Sequence, residues 1–172
     1  MLKSAMLFML ISLFKFSSSP ISINWVIDGD VECKENIHGL GEFSFLLQEA
    51  IIRFYERDGG KSGFAGFIDS DTDLLEGKYV LTDSLGHFQV KGYKYQSFGT
   101  LDPYLQIDHQ CYTPTIKQPL RMGCYYRSVI DLDQLPRDQK VHIILGIESA
   151  RLITGKGKDL VVKTAEKIEC PP

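Results

Sequence analysis

One segment of this 172-residue chain, residues 79–111, limits the possible folds more than any other. It contains a tight turn at 82–86, Thr-Asp-Ser-Leu-Gly, in which the Asp83 side chain can bond nearby backbone and Gly86 can adopt a positive φ. After the turn, apolar and polar residues alternate over 88–91, which is the period of a half-buried strand. The segment therefore predicts two strands joined by a tight turn.

A third strand is predicted in the same segment, over residues 103–109. Pro103 has no N–H to donate to a strand ladder, so it suits the first position of such a strand. Alternate positions then carry Leu105, Ile107 and His109, which we expect on one face.

Similar short patterns recur along the rest of the chain, with turn residues between them. Seven or eight short strands with little helix are typical of an antiparallel β-sandwich, so the predicted fold class is all-β. Gly29 is expected to interrupt or bulge the first of these strands. The further strands are predicted at 23–33, 51–57, 78–82, 125–132, 141–147 and 160–167.

The segment from Glu35 to Glu49 fits two local structures. Phe43, Leu46 and Leu47 have the spacing of a short amphipathic helix, and a loop is the alternative. A short helix is therefore compatible with the predicted sandwich.

The first 19 residues have the features of a secretory signal peptide. Lys3 precedes an apolar run from Ala5 to Phe14, and serines follow it. This run is too short for a membrane span, which needs about 20 residues. We therefore predict an extracellular protein with a signal peptide at 1–19, one domain at 20–172 and no transmembrane segment. An uncleaved anchor or a buried helix is the alternative.

The overall composition fits an ordinary globular protein, with 44% hydrophobic and 24% charged residues. The formal net charge of -3 argues against a nucleic-acid partner, because nucleic acids bind to basic surfaces.

Four cysteines, Cys33, Cys111, Cys124 and Cys170, follow the predicted signal peptide. In a secreted chain this number predicts two disulfides, for which three pairings exist. We favour Cys111 with Cys124, which would leave Cys33 to close a large loop with Cys170. A zinc site is the rival interpretation, but the chain has no Cys-x-x-Cys pair.

Two groups of residues could carry chemistry. Asp69, Asp71 and Asp73 resemble the opening of a calcium loop, but Leu74 stands where an EF-hand needs glycine, so a solvated acidic turn is the simpler interpretation. A looser calcium site would add Asp58. A nucleophile pair of His109 and Cys111 is disfavoured because this cysteine should be oxidised outside the cell. No catalytic residue, cofactor-binding residue or metal ligand is predicted.

The central segment contains a motif at Thr82, Asp83, Gly86, Phe88, Gly92, Asp102, Pro103 and His109, with Cys111 at the end. This motif resembles the signature of the nematode transthyretin-like family, a set of small secreted β-sandwich proteins. The resemblance implies an antiparallel transthyretin-like (immunoglobulin-like) sandwich and an extracellular location. Relative to that family, residues 40–49 are additional, either as a genuine insertion or through a misjoined exon.

The resemblance also bears on function. Some members of the family are thought to act as extracellular bridging or signalling proteins, including recognition of exposed phosphatidylserine. Enzymes related to transthyretin hydrolyse 5-hydroxyisourate and end in Tyr-Arg-Gly-Ser, whereas the similar tripeptide here, Tyr126-Arg127-Ser128, is internal. We therefore expect a secreted, non-enzymatic binding or signalling protein whose partner is an extracellular protein or a lipid. A hydroxyisourate hydrolase and a structural or host-directed secreted component are the alternatives.

Overall fold

The structure is a computed structural model, and the features below concern the residues that it describes. Residues 1–20, with the predicted signal peptide, lie outside this set, as do Asp58 and Asp69 of the suggested calcium site. The described residues are 21–37, 40–57, 71–96, 101–111, 120–132, 135, 137–146, 151–154, 159–161 and 167–170.

The described part of the chain is all-β and contains no helix, which confirms the predicted fold class. It has more strands than predicted because several edge strands are only two to four residues long. In chain order the strands are β1 (Ile21–Ile37), β2 (Gly41–Leu46), β3 (Ile51–Glu56), β4 (Thr72–Asp73), β5 (Val80–Leu81), β6 (His87–Gln96), β7 (Pro103–His109), β8 (Tyr125–Asp131), β9 (Asp138–Leu145), β10 (Arg151–Thr154), β11 (Asp159–Val161) and β12 (Lys167–Glu169).

The strands form two sheets, which we call sheet A and sheet B. Sheet A has the order β11-β10-β9-β1-β2, and its long strand β1 also pairs with β6 on the side where β2 lies. The pairing of β1 with β9 is parallel, and the other pairs in sheet A are antiparallel. Sheet B is wholly antiparallel, with the order β12-β8-β7-β3-β4, and β5 also pairs with β3.

The hydrophobic core lies between the sheets. Ile27 and Val31 contribute from sheet A, and Phe54, Leu105 and Ile130 contribute from sheet B. An edge-to-face contact between Trp25 and Phe54, with ring centroids 6.1 Å apart, joins the two layers. Aromatic pairs of this geometry add about 1 kcal/mol beyond the area that they bury.

Strand β1 runs through Gly29 without the interruption that we predicted. Gly29 pairs with Phe88 of β6 on one side and with Val141 of β9 on the other. A side chain here would meet both neighbours, because a Cβ atom at Gly29 would lie 2.7 Å from each. Glycine therefore makes room inside a regular strand.

The described residues of segment 35–49 form neither the short helix nor the loop that we considered throughout, because Phe43 and Leu46 lie on strand β2. Phe45 pairs with Cys33 and Phe43 pairs with Glu35 across the β1–β2 ladder. The helical spacing was misleading because only Leu47 of the three apolar residues is buried, whereas Phe43 and Leu46 are each about half exposed.

The predicted turn at 82–86 is present, but it connects the layers and does not close a hairpin. Strand β5 before it belongs to sheet B, and β6 after it belongs to sheet A. The Asp83 side chain accepts hydrogen bonds from the backbone N–H groups of Leu85 and His87, at 2.8 and 2.9 Å. Gly86 has a φ of 70°, as the turn requires.

All four cysteines form disulfides, as predicted, but the favoured pairing is wrong. Cys33 pairs with Cys111, and Cys124 pairs with Cys170. The sheets explain this result: Cys33 on β1 lies over the end of β7, and β12 pairs with the start of β8. Nearness in sequence was a poor guide because the antiparallel pairing decides which residues meet.

The described ranges hold no helix that is long and apolar enough to cross a membrane.

Candidate binding surface

The signature residues in the turn are scaffold residues, and Thr82 shows this most clearly. Its buried hydroxyl accepts a hydrogen bond from the backbone N–H of Ala50, at 2.9 Å, and donates one to the carbonyl of Leu47, at 2.6 Å. Its backbone N–H and carbonyl bond to Ala50 and Glu49. Thr82 thus holds the turn between β2 and β3, in which Glu49 has a φ of 60°.

The signature glycines and Phe88 have packing roles. The side chain of Phe88 is buried in the core. A Cβ atom at Gly92 would lie 2.5 Å from the ring of Phe54 on the opposite sheet. At Gly86 a Cβ atom would lie 2.6 Å from the carbonyl oxygen of Val31. Both glycines therefore allow close approach between elements.

The remaining signature residues, Asp102, Pro103 and His109, belong to β7 and its approach. The carboxylate of Asp102 pairs with Arg57, with atoms 3.2 Å apart. Pro103 begins β7, as predicted, and its carbonyl accepts a hydrogen bond from Leu132.

His109 lies at the other end of β7, inside the protein. Its Nε2 atom is 2.9 Å from the hydroxyl of Ser128, and both side chains are buried. Burial lowers the pKa of His109 to about 4, against the opposing effect of the Asp108 charge. A neutral histidine bonded to a serine that solvent cannot reach is suited to a structural role.

The described carboxylates of the suggested calcium site have protein partners. Asp73 accepts hydrogen bonds from the backbone N–H groups of Leu75 and Gly77, both at 2.8 Å. Asp71 accepts one from the Tyr104 hydroxyl at 2.5 Å. The Asp73 contacts are those of a turn, and all three contacts use carboxylate oxygens that a calcium ion would need.

A different surface collects functional side chains, on the face of sheet B that points away from the core. Residues at alternate positions of β3, β7 and β8 reach this face because strand side chains alternate. Arginine and tyrosine dominate it, and we call it the arginine–tyrosine face. Its members are Arg53, Tyr55, Arg57, Tyr79, Tyr104, Tyr125 and Arg127.

Asp108 lies at the centre of this face. Its side chain is only 1% exposed and lies between Arg53 and Arg127. Arg127 donates two hydrogen bonds to it, from Nε at 2.7 Å and from Nη2 at 3.0 Å, and Arg53 donates another. Bidentate contacts between arginine and a carboxylate fix the orientation of the guanidinium plane as well as the position of the group. Through hydrogen bonding, Asp108 also raises the pKa of Arg127.

Arg57 forms a second cluster farther along β3. Its guanidinium is partly buried and contacts Asp102 at 3.2 Å and Asp131 at 2.7 Å. It also stacks over the ring of Tyr104, 4.5 Å from the centroid. The Tyr104 ring in turn stacks on Tyr55 with centroids 5.5 Å apart.

The same stacking recurs across the face. Arg53 lies over Tyr79, 5.9 Å from the ring centroid, and Arg127 lies over Tyr125 at 5.4 Å. Cation–π contacts of this type attract the guanidinium groups to the tyrosine rings and limit their movement. The face is therefore pre-organised, and its arginine charges are balanced by carboxylates.

A cleft opens at the end of this face, beside the turn between β2 and β3. Its volume is about 410 Å³. Phe45, Leu47 and Ala50 contribute apolar lining, and Tyr125 and His109 line the cleft as well. Because Tyr125 and Asp108 also line the cleft, it is continuous with the arginine–tyrosine face.

Comparison with known families agrees with this architecture. The model of the transthyretin-like family matches residues 49–132, which run from the start of β3 to the end of β8. Over these residues, which are just under half of the chain, the sequence is similar to the transthyretin-like family. Comparisons with curated proteins and with solved structures each found no match.

The matched transthyretin-like region contains the predicted signature residues and the whole arginine–tyrosine face, whereas β2 precedes it. Sequence analysis missed the face, although Arg53, Tyr55 and Arg57 occupy alternate positions along β3 and directly after it. That alternation was the available signal. It does not show that β7 and β8 bring Asp108 and Arg127 beside Arg53, because this depends on strand order.

Proposed function

We propose that this transthyretin-like protein is a secreted, non-enzymatic binding protein that docks an extracellular protein on its arginine–tyrosine face. The observation that carries the proposal is the stacked and ion-paired set of arginines and tyrosines on sheet B. Tyrosine and arginine are enriched among the residues that dominate protein–protein binding energy. Side chains already held in place lose little entropy when a partner binds.

The charge balance of the face favours a protein over an anionic lipid headgroup. Asp108 neutralises charge between Arg53 and Arg127, and Arg57 contacts Asp102 and Asp131. A surface whose positive charges are already paired exerts little long-range attraction on a phosphate-rich membrane. A protein with its own aromatic and polar side chains matches such a surface better.

The cleft supplies a place for one apolar anchor side chain of that partner. It adjoins the face at Tyr125 and is walled by Phe45 and Leu47. Buried pockets that receive an anchor residue are typical centres of binding energy.

Two features support secretion. The chain begins with a segment that has the pattern of a signal peptide, and all four cysteines are disulfide-bonded. Disulfides persist mainly in oxidising compartments.

The burial of a hydroxyl–imidazole pair, Ser128 and His109, supports the proposed absence of catalysis. Ser128 is fully buried against His109, whose neutral ring has little affinity for a proton at pH 7. Ultraviolet-detected turnover of 5-hydroxyisourate by the purified protein would support the hydrolase instead, and we expect none above buffer.

Site-specific photo-crosslinking tests the proposed docking surface. A photoreactive phenylalanine analogue replaces Tyr79, which is 55% exposed on the arginine–tyrosine face. The matched control places it at Tyr93 on sheet A, which is 46% exposed. We expect one defined extracellular protein to crosslink at Tyr79 and not at Tyr93. Crosslinking of the same partner at Tyr93 alone would overturn the assignment of the face.

A further inference from the structure

Strand β2 carries a second candidate interaction surface, and its Phe45 also lines the cleft that adjoins the arginine–tyrosine face. It pairs with β1 on one side, and no described strand pairs with its other side. All six of its residues are exposed. An edge strand leaves a row of backbone N–H and carbonyl groups free to pair with another strand.

Within the described part of the chain, this edge has little of the usual protection against pairing, and Glu42 is its one charged side chain. Natural edge strands are commonly blocked by proline, by lysine or by a bulge. Residues 41–46, Gly-Glu-Phe-Ser-Phe-Leu, contain neither proline nor lysine, and their register with β1 is continuous. Phe43 and Phe45 lie on the same face of the strand and are 45% and 46% exposed.

The sequence of β2 is complementary to itself. In an antiparallel pair of two β2 strands centred on Ser44, Phe43 of each copy faces Phe45 of the other. Glu42 then faces Leu46 of the other copy, so the carboxylates stay apart. Cross-strand aromatic pairs stabilise sheets, and like charges directly opposite each other would oppose pairing.

We propose that two copies of this chain form a symmetric dimer by antiparallel pairing of their β2 strands. The pairing joins the two A sheets into one continuous sheet and places four phenylalanine rings together. A two-fold pairing of this kind uses the same edge in both copies and closes on itself. The contact is small, so we expect a weak and reversible dimer.

Sedimentation velocity of the purified protein tests the dimer over a range from about 1 to about 500 µM. We expect the average mass to rise towards twice the monomer mass with concentration. Phe43→Lys and Phe45→Lys should each abolish this rise. Tyr93→Lys, at a side chain of equal exposure on β6, should leave it unchanged.

Cysteine substitution tests the register. Because Ser44 lies on the proposed axis, Ser44→Cys should form a covalent dimer in a glutathione redox buffer. Glu42→Cys should form much less, since the two Glu42 positions are far apart in this register. Circular dichroism and intact mass confirm that each variant keeps its fold and its native disulfides.

Three results would overturn the proposal. The first is a native protein that stays monomeric over the whole concentration range. The second is a dimer that both phenylalanine variants leave intact, and the third is equal crosslinking of S44C and E42C. Phe43→Lys, Ser44→Cys and Glu42→Cys change no residue of the arginine–tyrosine face or of its cleft, so their results do not bear on the proposed function. Phe45→Lys also alters the cleft.

Discussion

Asp108 is the residue that orders the arginine–tyrosine face. A carboxylate that is almost completely buried is tolerated here because two guanidinium groups satisfy it. Arg53 and Arg127 are themselves 24% and 18% exposed, so solvent partly screens their charges. The cluster is therefore less costly to disturb than a fully buried one, but its geometry depends on the shared carboxylate.

Replacing that carboxylate tests its role. We expect Asp108→Asn to lower the free energy of unfolding by about 1–3 kcal/mol, because the arginines lose a charged acceptor. Urea denaturation measures the change. As a control, Glu42→Gln removes the exposed pair with Lys34 and should change stability by less than about 0.5 kcal/mol. Equal effects of both substitutions would contradict the central role of Asp108.

Thr82 offers a second test, because its hydroxyl serves two backbone partners. Thr82→Val keeps the shape but leaves the N–H of Ala50 and the carbonyl of Leu47 without this partner. We expect a loss of about 2–4 kcal/mol in the free energy of unfolding. Thr82→Ser keeps the hydroxyl and should lose less than half as much. If the two variants are equally stable, the hydrogen bonds do not hold the turn.

His109 makes stability depend on pH. Its folded-state pKa of about 4 is below the ordinary value of 6.5, so between these pH values the unfolded chain binds a proton that the folded chain does not. Stability should therefore fall by roughly 3 kcal/mol as the pH drops from 6.5 to 4, and this contribution should level off below 4. Urea denaturation at several pH values measures the slope. His109→Gln should flatten it, and an unchanged slope would contradict the burial of a neutral ring.

At the scale of elements, the two disulfides connect different parts of the fold. Cys33–Cys111 joins β1 of sheet A to the end of β7 of sheet B, so it connects the two layers. Cys124–Cys170 joins β8 and β12 within sheet B. Cys33 and Cys111 are both buried, whereas Cys170 is exposed.

This difference predicts the order of reduction. Mild phosphine treatment should open Cys124–Cys170 first, because a reductant can reach Cys170. Alkylation followed by peptide mass spectrometry identifies the released thiols. Removing Cys33–Cys111 by double alanine substitution should cost about 4 kcal/mol or more, since its sequence separation of 78 residues constrains the unfolded chain. First release of Cys33 and Cys111 would contradict the layer arrangement.

The strands and the turn show what local sequence can predict. β3, β7 and β8 were predicted within one or two residues because alternation and turn residues are local signals. The disulfide pairing and the continuity of β1 at Gly29 were not, because both depend on which strands become neighbours. Strand β2 was mistaken for a helix or loop because its apolar residues are largely exposed.

At the scale of the molecule, most of the transthyretin-like signature is separate from the proposed binding surface, and only its end, His109 to Cys111, also lines the cleft. The signature residues build the turn, the core and the start of β7, and Asp102 reaches the face only through Arg57. The arginine–tyrosine face could not be assembled from sequence, because it needs side chains from separate strands. The signature therefore identifies the scaffold, whereas the face carries the proposed recognition.

Titration of the crosslinked partner against three forms of this protein tests most directly whether recognition takes place on the arginine–tyrosine face. The forms are the wild type, Tyr79→Ser on the arginine–tyrosine face and Tyr93→Ser on sheet A, and calorimetry measures each dissociation constant. We expect Tyr79→Ser to weaken binding about tenfold or more, the effect of losing one dominant contact, and Tyr93→Ser to leave it unchanged. Unchanged affinity for Tyr79→Ser together with weakened binding by Tyr93→Ser would contradict the account.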